Sequence, residues 1–370
     1  MDRAIHSIGT IRRVLPRALA LQTQLVVNQN LFQVAIVGFG RSGMAHASAW
    51  NALEGARVAA IVDDSVSARQ RAHGLGIPAF EDLNALAQSC IRIDAASLCT
   101  PTVFHETQAA SLLSAGIPVL CETPAASTLE GAQRIMAAAS ATAPLQTTSR
   151  YRHLSEVRKA RALLAHGVIG DPVLFHGDLS QTEDMSERWN SVPQFSGGGV
   201  LMAQGCEAAD LVRFLISPVA KAQCVPVQPV QALGVEDSAL LLLNTESGVA
   251  GNVTLSWSLA NNTGVYLSIH GTKGSIDLGY QESWLRVDGE APVRIAGESC
   301  MNAAYRRMVT NFREFCLTGE DQWIAPSDIV AGAAVMESAY KSLQTGRWSR
   351  VTPMPAARVY SSVQAAAACS

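Results

Sequence analysis

A glycine-rich hexapeptide, Gly38–Gly43, carries the clearest chemical signal in this sequence. It follows the apolar run Val34–Val37, opens a helix-like segment, and consists of Gly38, Phe39, Gly40, Arg41, Ser42 and Gly43. In such a strand–turn–helix the first glycine permits a tight turn, the second lets the backbone approach a pyrophosphate, and the third lets the helix press on the strand. The N–H groups at the start of the helix attract phosphate. The spacing therefore predicts a dinucleotide site.

Asp63 extends this site to the cofactor's ribose. It ends the next apolar run, 20 residues beyond Gly43. A carboxylate at that distance accepts hydrogen bonds from the ribose hydroxyls of NAD and repels the 2′-phosphate of NADP. Arg69, on the following helix, either accommodates that phosphate or is a solvated charge, and we favour the second interpretation. We predict NAD as the cofactor and keep NADP as an alternative.

The elements that position these residues alternate in type over the first part of the chain. The strands predicted from short apolar runs cover residues 34–37, 58–62, 95–98 and 118–121. Because helical segments separate them, residues 32–150 are predicted to form an α/β Rossmann domain, a doubly wound parallel sheet that binds NAD(P).

The pattern changes after about residue 150. Residues 235–287 read as consecutive strands with hairpin-like turns, and two helices follow near 302–316 and 327–343. Residues 151–355 are therefore predicted to form an α+β domain with a large antiparallel sheet. This domain is expected to bind the substrate and to form the contacts between subunits. The late helices are expected to pack back on the body of the protein.

The two ends of the chain are predicted to lie outside these domains. Residues 1–31 hold four arginines and one acid, which fits a targeting peptide or a loose N-terminal extension. We favour the extension, because Arg17 interrupts the only stretch that resembles a signal-peptide core. Residues 356–370 are predicted to be a C-terminal tail.

Composition narrows the class of protein. The 370 residues have a formal net charge of −3 and only 16% charged residues, so we expect no nucleic-acid or membrane partner. The sparse surface charge suggests cover by a second subunit, in a homodimer or homotetramer. The eight cysteines never form a C-x-x-C pair, so we predict no metal site and a reducing, cytoplasmic location.

Five ordered motifs resemble the glucose–fructose oxidoreductase/inositol dehydrogenase (Gfo/Idh/MocA) family, over roughly Val34 to Val351. They are the hexapeptide followed by His46, the turn Thr100-Pro101 with His105, the strand and turn 115–124, the glycine triplet 197–199, and the hairpin 271–275. The resemblance implies a small-molecule substrate and further cofactor-binding residues, namely Thr100, Pro101, His105 and Glu122.

The sequence departs from the family at the positions expected to do chemistry. Thr123 stands where the family has a lysine that positions and polarises the reacting hydroxyl. Aligned on Gly205, Ala203 and Glu207 replace the family's aspartate and acid/base histidine, and only Asp210 matches the final aspartate. The usual catalytic roles therefore cannot be transferred directly.

Glu207 is the first catalytic candidate, because burial would raise its pKa towards a useful value. The alternative, a helix carboxylate paired with an arginine, stays open. Asp210 follows at i+3 and is expected to face the same cleft. Thr123 completes the catalytic set, contributing a hydrogen bond without a positive charge.

Substrate-binding candidates come from the domain junction and a loop: Arg152, Tyr151 and Trp189. Arg152 would bind an anionic group or, alternatively, form an interdomain salt bridge. His153 and Asp178 are weaker candidates.

Three functions are compatible with these residues. The favoured one is an NAD(P)-dependent oxidoreductase that moves a hydride to or from a hydroxyl, carbonyl or imine of a sugar-like or cyclic molecule. The others are a dinucleotide-binding regulatory protein and an NAD-assisted glycoside hydrolase. Turnover of a substrate distinguishes the oxidoreductase from the regulatory protein, because both would bind the cofactor. The glycoside hydrolase would release sugar with no net change in the amount of NADH.

Overall fold

The computed structural model describes residues 31–297, 300–319 and 322–352. The predictions for the N-terminal extension, apart from Leu31, and for the tail lie outside these residues. The domain boundaries 32–150 and 151–355 stay predictions, although the described chain does contain two sheets.

The first sheet contains six parallel strands within the described residues. They are β1 (Phe32–Val37), β2 (Ala56–Val62), β3 (Ala79–Phe80), β4 (Ala95–Leu98), β5 (Val119–Cys121) and β6 (Leu145–Thr147), in the spatial order 3-2-1-4-5-6. The helices are α1 (Arg41–Asn51), α2 (Val66–Gly74), α3 (Leu83–Ala87), α4 (Thr102–Ser114) and α5 (Leu129–Ala138). This confirms the predicted Rossmann sheet, and its strand order reverses between β1 and β4, where such sheets bind their ligands.

A short 3₁₀ segment (Arg150–His153) leads from β6 into the second region. The helices that follow are α6 (Ser155–Ala165), α7 (Pro193–Ser196) and α8 (Cys206–Leu215), and a π-helical turn, Leu201–Gly205, runs directly into α8. A π-turn is uncommon and often marks a functional site.

The second sheet has nine strands among the described residues. They are β7 (Pro172–Asp178), β8 (Val219–Pro226), β9 (Ser238–Thr245), β10 (Ala250–Ser256), β11 (Val265–Gly271), β12 (Gly274–Gly279), β13 (Trp284–Val287), β14 (Val293–Arg294) and β15 (Ser349–Arg350). Their order is 14-13-12-11-7-10-9-8-15. The five predicted strands between 235 and 287 are present, but the sheet is not wholly antiparallel, because β7 inserts at its centre and pairs parallel with β10.

The two late helices, α9 (Met301–Thr318) and α10 (Pro326–Thr345), pack back on the body of the protein as predicted. Phe312 of α9 packs in the core beneath β1. On α10, Val330 packs against the first sheet's core, whereas Val335 packs into the core of the second. One helix thus buries side chains in both cores and fixes the sheets relative to each other.

No helix of the described residues is long and apolar enough to cross a membrane.

Candidate active site

The hexapeptide loop has the geometry that a pyrophosphate requires. Gly38 adopts φ +88°, which L side chains rarely adopt. A Cβ on Gly43 would lie 2.0 Å from the Gly38 carbonyl oxygen, so this glycine lets α1 approach the turn. A Cβ on Gly40 would meet no atom within 4 Å, so the space beside Gly40 is open for a ligand at the helix N-terminus. The three glycines therefore fit the roles expected from the sequence.

Asp63 lies at the end of β2, against this loop. Its Oδ2 accepts a hydrogen bond from the Phe39 N–H at 2.6 Å, and its Oδ1 accepts one from the Ser65 N–H at 2.9 Å. Each carboxylate oxygen keeps a second lone pair for a ribose hydroxyl. Arg69 is not simply solvated, because its Nη1 donates to the carbonyl oxygens of Asp63 and Asp64, both at 2.8 Å.

The residues after β4 and β5 form the next wall. His105 is buried, with Nδ1 3.0 Å from the Pro124 carbonyl oxygen and Nε2 2.8 Å from that of Thr100. Burial lowers the pKa of His105, although these two contacts oppose the shift. His105 therefore joins the two turns, and Pro101 caps α4 beside it.

Glu122 is the most heavily hydrogen-bonded acid at this edge of the sheet. Its carboxylate accepts from Thr148 Oγ1 at 2.8 Å and Tyr305 OH at 3.3 Å, and lies 3.1 Å from His46 Nε2. Burial alone would raise the pKa of Glu122, but His46, the charge of Arg150 and the hydrogen bond from Thr148 outweigh it and lower the pKa to about 2. Glu122 is therefore a fixed negative charge at neutral pH.

A cavity of about 550 Å³ lies between the hexapeptide loop and the second region. Gly40, Arg41 and Ser42 form one end of its wall. The rest includes residues of both regions, among them Thr100, His105, Glu122, Thr123, Trp189 and Glu207. The structure thus brings six of the eleven predicted cofactor residues and two of the three catalytic candidates, Thr123 and Glu207, to a single cavity.

Glu207 enters this cavity from the first turn of α8. Its side chain is 9% exposed, and its Oε2 accepts a hydrogen bond from Arg150 Nη2 at 2.8 Å. Burial raises the pKa of Glu207 above its ordinary value, even though Arg150 acts in the opposite direction. The pairing with an arginine is therefore observed, while the catalytic interpretation, which the raised pKa and the place in the cavity wall support, stays a prediction.

Asp210 does not face the same cleft as Glu207, contrary to the expectation from their i+3 spacing. It lines a separate cavity of about 690 Å³, and its Oδ2 accepts from Arg152 Nε at 2.8 Å. Arg152 also donates to Asp328 of α10 at 3.0 Å, and its side chain is 6% exposed. The guanidinium is therefore committed to a buried ion pair, which confirms the salt-bridge interpretation of Arg152.

The remaining candidates divide between the cavity wall and the core. Thr123 lines both cavities, and its Oγ1 is buried without a partner among the described residues. Trp189, which is predicted to bind substrate, lines the cavity of about 550 Å³ beside the hexapeptide loop, hereafter the cofactor-side cavity. Tyr151 instead packs in the core, its ring 5.2 Å from that of Tyr266. His153 is also buried, stacked on Trp323.

Sequence reasoning missed several residues of the cavity wall. These are Arg150, Arg188, Gln204, Trp257 and Tyr305. Arg150 lies two positions before the substrate-binding candidate Arg152, and Tyr305 comes from α9, far away in sequence. No local pattern marks either residue, because tertiary packing alone brings them beside Glu122 and Glu207.

The described residues contain no group of three or more histidine, cysteine, aspartate or glutamate side chains able to hold a metal ion.

Comparison with known proteins gives matches to both regions of the chain. Residues 32–146 match the model of an oxidoreductase family with an NAD-binding Rossmann fold, and residues 157–277 match the model of the GFO/IDH/MocA C-terminal domain.

Two curated relatives cover most of the chain. D-apiose dehydrogenase of Paraburkholderia graminis is 25% identical over 335 residues, which are 85% of this chain and 88% of the relative. Inositol 2-dehydrogenase 2 of Saccharopolyspora erythraea is 25% identical over 344 residues, 90% of this chain and 99% of that protein.

Among solved structures, levoglucosan dehydrogenase in complex with NADH has a similar fold. The TM-score is 0.79 at 18% identity, with 87% of this chain and all of that chain covered.

Proposed function

This chain belongs to the Gfo/Idh/MocA family of NAD-binding oxidoreductases, and we propose that it oxidises or re-forms a hydroxyl on a cyclic, sugar-like small molecule, with Glu207 as acid/base. The observation that carries the proposal is the shared cavity. Its wall holds the hexapeptide end at Gly40–Ser42 together with a buried carboxyl whose pKa is raised. Such a carboxyl suits general acid–base chemistry close to neutral pH.

The residues of this chain fit NAD. When bound, NAD supplies hydride acceptance, and its reduced form supplies hydride donation. The open space at Gly40 and the start of α1 would hold the pyrophosphate, and Asp63 would hold the adenosine ribose. Thr100 and Glu122 follow the carboxyl ends of β4 and β5 in the wall of the cavity, where they would contact the reacting end of the cofactor.

The residues that line the cavity on the side away from the hexapeptide loop indicate the class of substrate. Trp189 and Trp257 line this side beside polar groups such as Gln204. Ligand sites that combine aromatic faces with a few placed polar groups suit small ring compounds. The names of the relatives, which act on D-apiose and inositol, point to the same chemical class. Thr123 would add a hydrogen bond to the substrate.

The test is NAD⁺ reduction followed at 340 nm with D-apiose, myo-inositol and levoglucosan across a range of pH. Oxidation requires ionised Glu207, so we expect the rate to rise with pH through the raised pKa of this group. Glu207→Gln should lower kcat about a hundredfold or more, abolish that pH limb, and leave NAD affinity unchanged.

The matched control is Glu54→Gln, at an exposed acid, which should behave as the parent. Parental turnover by Glu207→Gln would contradict the acid/base assignment. NAD binding without turnover of any ring compound would favour the regulatory alternative, and sugar release without net NADH would favour the hydrolase.

The open face of the second sheet is the surface that we propose for a homodimer or homotetramer. Leu240 and Leu242 of β9 remain partly exposed there, whereas Leu241 and Leu243 point into the core. Leu174 of the central strand β7, which shares this face through the pairing of both strands with β10, is 39% exposed. Apolar exposure across neighbouring strands is typical of subunit contacts. Leu242→Glu should then shift the mass of the native particle to that of a monomer.

We also propose a cytoplasmic location. The free cysteines support a reducing compartment. Fractionation of the source cells, followed by detection of the chain, tests this.

A further inference from the structure

Arg150 lies in the cavity wall, where its positive charge interacts with the carboxyl groups of both Glu207 and Glu122. Its Nη2 donates to Glu207 Oε2 at 2.8 Å, and its charge contributes to lowering the pKa of Glu122. About a third of the Arg150 side chain is exposed, and the residue lines the same cavity as both acids. An arginine that only neutralised Glu207 would not need a side chain that is exposed to the cavity.

The guanidinium has donors in excess of its contacts. Within the described residues, Arg150 Nε is buried without an acceptor and no hydrogen bond of Nη1 is found. Thr123 Oγ1 and Gln204 Oε1, in the same wall, are likewise buried without partners. Because buried polar groups are normally paired, a cluster of three indicates a place built for polar ligand atoms.

The other cations in this wall are already committed. Arg41 and Arg188 both bind Glu183, at 2.7 Å and 2.8 Å. His105 contacts two carbonyl oxygens, and burial lowers its pKa, so it carries no charge at neutral pH. Arg150 is therefore the cation of the described wall that can act on a substrate oxygen.

We propose that Arg150 is a catalytic residue whose guanidinium donates a hydrogen bond to the reacting oxygen and stabilises the negative charge that develops on it. This inference rests on the proposed function. In the oxidation, the C–H bond breaks and its electron pair leaves as hydride to bound NAD⁺. The O–H proton passes to Glu207, and the carbon–oxygen double bond forms. The alcohol would be oxidised and NAD⁺ reduced, and atoms and charge balance once the proton taken up by Glu207 is counted.

This arrangement gives the Arg150–Glu207 pair two linked effects. Arg150 lowers the pKa of the substrate hydroxyl by favouring its anion, and Glu207 takes the proton that is released. Glu207 uses Oε2 for Arg150, while no hydrogen bond of Oε1 is found among the described residues. The free oxygen of the acid and the free donors of the arginine can therefore act on one hydroxyl.

The test compares Arg150→Ala and Arg150→Lys with the parent, using NAD⁺ reduction by whichever of D-apiose, myo-inositol and levoglucosan the parent oxidises fastest. Losing one donor to a developing oxyanion lowers kcat by about 10²–10³-fold, and we expect this for Arg150→Ala. Arg150→Lys should recover part of the loss, because it keeps the charge. Both variants should bind NADH within about twofold of the parent in a fluorescence titration.

The pH profile distinguishes this role from a merely structural one. Arg150 lowers the pKa of Glu207, so Arg150→Ala should move the Glu207 limb to higher pH. The matched control is Arg134→Ala, which removes an arginine paired with Glu106 on the surface, 59% exposed. It should leave kcat, the pH limb and NADH affinity unchanged.

The outcomes separate this inference from the function on which it rests. Arg150→Ala with a parental kcat, or Arg150→Lys no better than Arg150→Ala, overturns the role of Arg150 alone. If the parent oxidises none of the three compounds, each is titrated into the NADH-loaded protein. Binding that is weakened at least tenfold by Arg150→Ala supports Arg150 as a ligand of the substrate oxygen. Equal binding, or no binding to the parent, overturns it together with the proposed function.

Discussion

At the scale of single residues, Asp63 is the side chain that we expect to set the preference for NAD over NADP. Its carboxylate accepts hydrogen bonds from the Phe39 and Ser65 N–H groups, next to the hexapeptide loop, and we expect it to accept one from a ribose hydroxyl of the cofactor as well. We expect NADH to bind more tightly than NADPH. Asp63→Ser should narrow the difference by about 1–3 kcal/mol, because the charged partner of the hydroxyl and the repulsion of the 2′-phosphate are both lost. Fluorescence titration with each reduced cofactor measures this, and a parental preference for NADPH would contradict it.

Glu122 should make stability depend on pH in the acid range. Its pKa is lowered from 4.5 to about 2 in the folded protein, since His46, Arg150 and Thr148 outweigh the effect of burial. A carboxyl with a lowered pKa stabilises the fold above its unfolded-state pKa, and that stabilisation is lost as the pH falls through the folded-state pKa. The loss therefore begins below about pH 4.5 and amounts to roughly 3 kcal/mol at most.

The measurement is the melting temperature of the parent and of Glu122→Gln between pH 6 and pH 3. The parent should lose more stability over this range than the variant, which has no proton to bind at this position. If the melting temperatures of the parent and of Glu122→Gln fell equally with pH, acids other than Glu122 would control the loss of stability at low pH.

At the scale of elements, we expect Gly40, at the N-cap of α1, to affect cofactor binding and Gly43, in the first turn of α1, to affect stability. A Cβ on Gly43 would lie 2.0 Å from the Gly38 carbonyl oxygen, whereas a Cβ on Gly40 would meet nothing within 4 Å. Gly43→Ala should therefore lower the melting temperature by several degrees, because the turn and the helix must move apart. Gly40→Ala should leave it unchanged and weaken NADH binding about tenfold or more, because its methyl group occupies the space of the pyrophosphate.

Calorimetry of both variants, with NADH titrations alongside, provides the comparison, and each variant is the control for the other. Equal stability losses would mean that the loop adapts as a unit. Unchanged NADH affinity in Gly40→Ala would place the pyrophosphate elsewhere.

At the scale of the whole molecule, Arg152 ties the domain junction to two helices. Its guanidinium binds Asp210 of α8 and Asp328 of α10, and Arg213 also donates to Asp328 at 3.1 Å. Arg152→Met should lower the free energy of unfolding by about 3–5 kcal/mol, because Asp210 would remain buried without its cation. Urea unfolding measures the loss. Arg134→Gln, which removes an exposed pair, should cost about 1 kcal/mol or less, and an equal cost for both would contradict the importance of burial.

The sequence by itself predicted β1, β2, β4 and β5 of the first sheet, which the structure confirms, and it predicted the residues of the cofactor half of the site. Strand alternation and the hexapeptide with Asp63 are local patterns, since a strand, a turn and a helix each show their period within a few residues. The five strands between 235 and 287 were predictable for the same reason. The parallel pairing of β7 with β10 was not, because β7 reaches its neighbour from more than seventy residues away.

Only the tertiary structure decided which side chains meet. Glu207 and Asp210 are three residues apart on one helix, yet one faces the cofactor-side cavity and the other is paired with Arg152. Arg150 meets Glu207 across 57 residues, and Tyr305 meets Glu122 across 183. The physical reason is that packing, not periodicity, sets these contacts: α9 and α10 bury their apolar faces against both sheets and so bring distant polar groups to the same wall.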